Sequence, residues 1–181
     1  MTKTILAGIL VSSILLGGIM YDNAFAAVDM FMKIDGIEGE SQDKKHKDEI
    51  DVLAWSWGAS QSSSSPTGGG KVNVQDVFVT KFIDKSTPIL FKSLTIGKHI
   101  GSAEISVVDR DYSGNEAYLT YTLENVLITS VSTGGSSGED RLTENISLNF
   151  EKIRVIYQPF ENKKKSGEPV EFTFTVERPP A

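Results

Sequence analysis

Glu49-Ile50-Asp51-Val52-Leu53-Ala54-Trp55-Ser56-Trp57-Gly58 holds both tryptophans of the chain. In an extended strand, successive side chains point to opposite faces. Strict alternation therefore predicts one face of Leu53, Trp55 and Trp57, and another of Ile50, Val52, Ala54 and Ser56. Large aromatics bury the most apolar area per residue, so the tryptophan face is expected to anchor a core. The opposite face ends in small residues, which leaves room for something beyond Ser56.

The neighbouring segments are also strand-like. Before this stretch, residues 27–35 alternate, with Val28, Met30, Met32 and Ile34 on one side. Gly36 and Gly39 end that strand, and residues 40–48 form a charged loop. After it comes a Ser/Gly-rich loop, residues 58–70, too polar to pack in a core. Residues 71–82 alternate again, with a phase shift near Gln75 and Asp76 that suggests a bulge. Thr87 as N-cap, Pro88 in the first turn and Gly97 as stop mark one short helix, with Leu90, Phe91 and Leu94 as its apolar stripe. Strands follow at residues 100–108 and 118–132, the latter with a phase slip near Glu124 and Asn125. Residues 141–157 read as the longest strand, residues 159–168 as a polar connection, and residues 170–176 as a final strand. Seven or eight strands, one helix and Gly-rich turns predict a mainly β protein, a small antiparallel β-barrel with one short α-helix on its side.

Composition narrows the class. The chain has 181 residues, of which 39% are hydrophobic and 23% charged, with a formal charge of -6. An acidic chain repels phosphate backbones, so nucleic acid is not an expected partner. Cysteine is absent, which removes thiol nucleophiles and zinc–sulfur sites. The first residues read separately. Lys3, an apolar run from Ile5 to Met20 and the small-x-small Ala24-Phe25-Ala26 have the layout of a secretory signal peptide cut after Ala26. The run, roughly 16 residues, is short for a membrane span, which needs ~20; an uncleaved anchor is the rival reading. Residues 1–26 are thus expected to be a leader, and residues 27–181 a single barrel domain.

Catalytic chemistry is hard to find. His46 and His99 lack spaced partners for a metal site or a triad and read as ordinary surface histidines. Asp109-Arg110-Asp111 reads as solvated turn residues. Gly68-Gly69-Gly70-Lys71 lacks the spacing of a phosphate-binding loop, and Lys163-Lys164-Lys165 reads as a solvated run. No cofactor, metal or enzymatic activity is expected. From these residues alone, a secreted sugar- or surface-binding domain with Trp55 and Trp57 as stacking platforms is one reading of the chain.

The chain resembles the Hcp family, the haemolysin-coregulated proteins of the type VI secretion system. The motifs that carry the likeness are residues 27–34 (AVDMFMKI), 39–41 (GES), 49–58 (EIDVLAWSWG), 71–76 (KVNVQD), 85–88 (KSTP), 97–99 (GKH) and 131–144 (VSTGGSSGEDRLTE), continuing into Asn149-Phe150 and Tyr157-Gln158-Pro159. The resemblance implies a barrel that assembles into homohexameric rings, which stack into a tube expelled from the cell. It implies small effector proteins held in the channel, spike and sheath components as further partners, and no enzymatic activity. It makes Ala54 and Ser56 channel-facing residues that contact cargo. It makes the loop residues Ser62, Ser63, Ser64, Ser65 and Gly68 contacts between subunits or stacked rings. The leader departs from the family pattern, because tubes are built in the cytoplasm. It reads as export of a variant, as an upstream start ahead of Met30, or as a tether; export, with a secreted destination, is the expectation adopted.

Overall fold

The computed structural model describes residues 28–62, 72–110, 116–162 and 164–176. The predicted leader, Ser63, Ser64, Ser65 and Gly68 lie outside the described residues. In chain order the elements are β1 (Val28–Ile34), β2 (Ile50–Ser56), β3 (Ala59–Gln61), β4 (Val72–Val74), β5 (Val77–Phe82), α1 (Thr87–Thr95), β6 (His99–Asp109), β7 (Ala117–Thr133), β8 (Thr143–Asn149), β9 (Lys152–Tyr157), β10 (Phe160–Glu161), β11 (Lys164–Lys165) and β12 (Val170–Thr175).

The main sheet runs β12-β9-β7-β6-β1-β2-β5-β8, and a further β7–β8 pairing closes it. Six antiparallel strands, β1, β2, β5, β8, β7 and β6, thus form a closed barrel, while β9 and β12 continue outward from β7. Strand β7 makes both attachments because of its length, 17 residues. Its first part pairs with β9 from Leu119 to Glu124, and its second with β8 from Leu127 to Thr133. Asn125, between the two, has φ +51°, a left-handed conformation that Asn tolerates better than most residues. The expected slip near Glu124 and Asn125 is therefore the point where β7 changes partner.

Directly paired residues share a face, so the register gives the core in rows. Met32, Ile105 and Tyr121 line up across β1, β6 and β7, as do Ile34, Ala103, Leu123 and Ile153 with β9 added. On the other side, Trp55, Val79, Ile146 and Val131 form a row across β2, β5, β8 and β7. Met32, Ile105, Leu123, Ile146 and Ile153 are fully buried or nearly so, each worth roughly 1.5–3 kcal/mol of apolar transfer. The inner face continues past the barrel to Val170 and Phe172 on β12, where both become exposed.

Several expectations change. Residues 141–157 are two strands, divided at Phe150 and Glu151, and β7 is the longest strand. Residues 71–82 divide at Gln75 and Asp76 into β4 and β5. Residues 59–61, expected within the Ser/Gly loop, form β3, which pairs with β4 from Ala59–Val74 to Gln61–Val72. The connection after β9 contains the β10–β11 hairpin. Helix α1 has Ser86 at its N-cap with no side-chain cap bond; Thr87, expected as the cap, is the first helical residue, and its hydroxyl donates to Glu144 instead of capping. Gly97, at φ +60°, follows the helix as expected. The helix lies against β7 and buries Leu90 and Ser93.

Candidate functional site

The tryptophan strand does not alternate throughout. The β2–β5 register shifts between Val52 and Ala54, a bulge that adds one residue and reverses parity. Ile50 and Val52 are buried before it, and Leu53 is exposed. After it, Trp55 and Trp57 turn inward against the core, and Ala54 and Ser56 face out. Leu53 therefore does not share the tryptophan face, and Ile50 and Val52 do not share the Ser56 face. The indole of Trp55 packs on Tyr121 with ring centroids 4.5 Å apart, and Trp57 lies 6.4 Å from Phe150. Burial pushes the Tyr121 phenol above its ordinary range. Inward-facing indoles cannot serve as the stacking platforms of a sugar-binding surface.

The outward face around Ser56 is the candidate site. One row across β2, β5, β8 and β7 reads Ser56, Phe78, Ser147 and Ser130; the next reads Ala54, Thr80, Asn145 and Ser132. These positions carry no formal charge. Ala54, Ser56, Phe78, Asn145, Ser130 and Ser132 are exposed, Thr80 is half-buried, and Ser147 is buried. The Thr80 hydroxyl donates to Asn145 Oδ1 at 2.7 Å. At one end of the wall, Asp76 accepts from the Thr129 hydroxyl at 2.6 Å and from Asn149 Nδ2 at 2.7 Å, so its carboxylate is tied down by neutral donors. Such a surface can hydrogen-bond backbone amides without desolvating charges.

Two charges of this half of the barrel are inside it. Lys81 on β5 and Glu144 on β8 are cross-strand partners at inner positions, and both are fully buried. Lys81 Nζ donates to Glu144 Oε1 at 2.6 Å, to Asp84 Oδ1 at 2.9 Å and to the Phe82 carbonyl at 2.7 Å. The Thr87 hydroxyl donates to the same Glu144 oxygen at 2.8 Å, while the Ser86 N–H and hydroxyl both donate to Asp84 Oδ1. The cluster therefore fastens the start of α1 to the barrel. Sequence reading missed it. The signal was present in phase: Lys81 follows Val77 and Val79, and Glu144 precedes Ile146 and Leu148, at core parity.

The other two histidine and arginine surprises are local. His46 is not an ordinary surface residue. Its ring stacks on Phe31 at 4.2 Å and 5°, and its Nδ1 lies 2.9 Å from Glu49 Oε2. The loop that places it is pinched where Gly39 donates to the Asp48 carbonyl at 2.8 Å. A Cβ at Gly39 would come within 2.3 Å of the Glu49 carbonyl oxygen, so no other residue fits there. Arg110 grips both carboxylate oxygens of Asp29, at the rim of a cleft of about 500 Å³ that Asp51 and Leu53 also line. The hydrogen bond from Arg110 to Asp29, reinforced by their charges, raises the guanidinium pKa above its ordinary value. Among the described residues, no group of three or more His, Asp or Glu side chains converges as a metal site.

Comparison with known proteins gives one consistent family. Residues 31–157 match the family model described as "Type VI secretion system effector, Hcp". The chain is 52% identical over 155 residues to Protein hcp1 of Pseudomonas aeruginosa, covering 83% of this chain and 96% of that one. Among solved structures, it is similar to Hcp1 from Salmonella typhimurium at 34% identity, with a TM-score of 0.69 over 82% of this chain and 95% of that chain. It is likewise similar to a type VI secretion system effector from Yersinia pestis at 35% identity, with a TM-score of 0.67 over 82% of this chain and all of that one.

Proposed function

We propose that this chain, which belongs to the Hcp family of type VI secretion system proteins, is a subunit of the secretion tube that carries small effector proteins against the uncharged wall of its barrel. The observation that carries the reading is the pair of uncharged rows through Ser56 and Ala54, together with the family. The subunit is structural and not an enzyme. Six copies close a ring through a heterologous interface, and stacked rings extend it into a tube. The wall formed by β2, β5, β8 and the second part of β7 faces the channel. The β3–β4 hairpin, with Ser62 just beyond β3 and Ser63, Ser64, Ser65 and Gly68 in the segment it carries, reaches a neighbouring subunit or ring. Self-association also offers cover for Tyr157, Val170 and Phe172, which are exposed together where β9 and β12 leave the barrel. Spike and sheath components complete the set of partners. The protein is secreted; residues 1–26 act as its export leader, and residues 27–181 are the single working domain.

Ser56→Gln tests the wall. The longer side chain occupies channel space without touching the core, so rings persist by light scattering while co-purification of effector proteins is lost. Retention of effectors by the variant would remove Ser56 from the cargo surface. A strict monomer at high concentration in the parent protein would remove the ring.

A further inference from the structure

Phe78 is out of keeping with its surroundings. It stands half exposed in the row Ser56, Phe78, Ser147 and Ser130, with hydroxyl side chains on both sides. It alternates with Val77 and Val79, which are buried, so its outward direction follows from the strand and not from a local distortion. Single exposed apolar residues are ordinary on protein surfaces. This one, however, lies near the middle of the four-strand wall that the proposed function turns toward the channel. In a six-fold ring one such residue per subunit becomes six phenyl groups at one height, a girdle that symmetry builds from a single side chain.

We infer that Phe78 is the apolar anchor of the cargo wall, and that the wall takes uncharged polypeptide segments bearing an exposed aliphatic or aromatic side chain. Complementarity of charge supports this occupant. The two rows carry no formal charge, and Asp76, two residues before Phe78, is already held by Thr129 and Asn149, so a charged segment gains no free ionic partner there and loses hydration, whereas an apolar side chain gains the phenyl face and its backbone amides gain the hydroxyls and Asn145. The inference rests on the channel reading for the girdle, but the anchoring role of Phe78 is a property of the single wall.

The test uses the full chain and two fluorescein-labelled peptides of twelve residues. One is built from Gly and Ser with two leucines; the other has serines in place of the leucines. Fluorescence anisotropy measures binding, and light scattering on the same samples measures assembly. The expected result is preferential binding of the leucine peptide, weakened about two- to tenfold by Phe78→Ser, the range an aromatic contact supplies, and restored by Phe78→Leu, with assembly unchanged in both variants. Equal binding by the parent and Phe78→Ser would overturn the inference, as would failure of the parent to prefer the leucine peptide. A monomeric protein whose leucine-peptide binding still depends on Phe78 would support the anchor while removing the ring.

Discussion

The barrel has two outer walls, and they handle charge in opposite ways. The wall of β2, β5, β8 and the end of β7 shows Ser56, Thr80, Asn145, Ser130 and Ser132, and keeps Lys81 and Glu144 on its inner side. The wall of β1, β6, the start of β7, β9 and β12 shows its charges. Its central row reads Lys33, Glu104, Thr122, Arg154 and Thr173. There Arg154 holds Glu171 through two bonds of 2.6 and 2.7 Å, and Lys152 meets Glu124 at 2.9 Å. Both walls descend from the same alternating pattern. What differs is which parity carries the ions: one wall shows hydroxyl and amide groups, the other ion pairs.

The largest consequence is energetic. Removing one partner of a buried pair strands the other charge in the core. Lys81→Met leaves the buried carboxylates of Glu144 and Asp84 without their cation and is expected to cost about 3–5 kcal/mol, lowering the thermal midpoint by roughly 6–20 °C for a chain of this size. A loss below ~1 kcal/mol by urea titration would show that Glu144 and Asp84 do not need the lysine and that the two ion sets are equivalent. Adding Glu144→Leu to Lys81→Met is expected to recover only part of the stability, because it removes one stranded carboxylate and leaves Asp84 without its lysine.

The smallest consequence lies on the charged wall. The Arg154 hydrogen bond, and then its charge, hold the Glu171 carboxyl below its ordinary value of 4.5. Lys165, bound at 2.6 Å, lowers Glu116 in the same way. A depressed carboxyl pKa stabilises the fold above the unfolded value and loses that contribution as pH falls through the folded value. Carboxyl titration by NMR should therefore place both groups below 4.5, with Glu171 returning toward that value in Arg154→Ala. Thermal midpoints at neutral pH should barely move in this variant, since exposed pairs are screened by solvent. A fall comparable to that of Lys81→Met would erase the distinction between the walls.

Much of this was legible in the sequence. Alternation in residues 28–34, 77–82 and 170–175, the Pro88 and Gly97 signals, and the phase slip near Asn125 all correspond to structural features. The inward turn of Trp55 and Trp57 and the outward turn of Ser56 were also correctly expected, though for a partly wrong reason. Alternation alone extended both faces back through Val52, whereas the bulge at Val52–Ala54 resets the phase. Such a bulge is fixed by pairing with β5, a neighbour that local pattern does not contain. The His46 stack escaped notice because Phe31 meets it only after the loop closes at Gly39. The Lys81–Glu144 pair was missed because each charge, taken alone, reads as surface; only their shared core parity on adjacent strands reveals them.

Electron cryo-microscopy of the assembled protein reads out directly whether the wall of β2, β5, β8 and the end of β7 lines the channel of a ring. The expected map is a six-fold ring in which Ser56, Phe78, Ser130 and Ser132 point into the lumen and Arg154 and Glu171 do not. A ring with Ser56 and Phe78 on its outer surface or buried between subunits, or the absence of any ring, would contradict that placement.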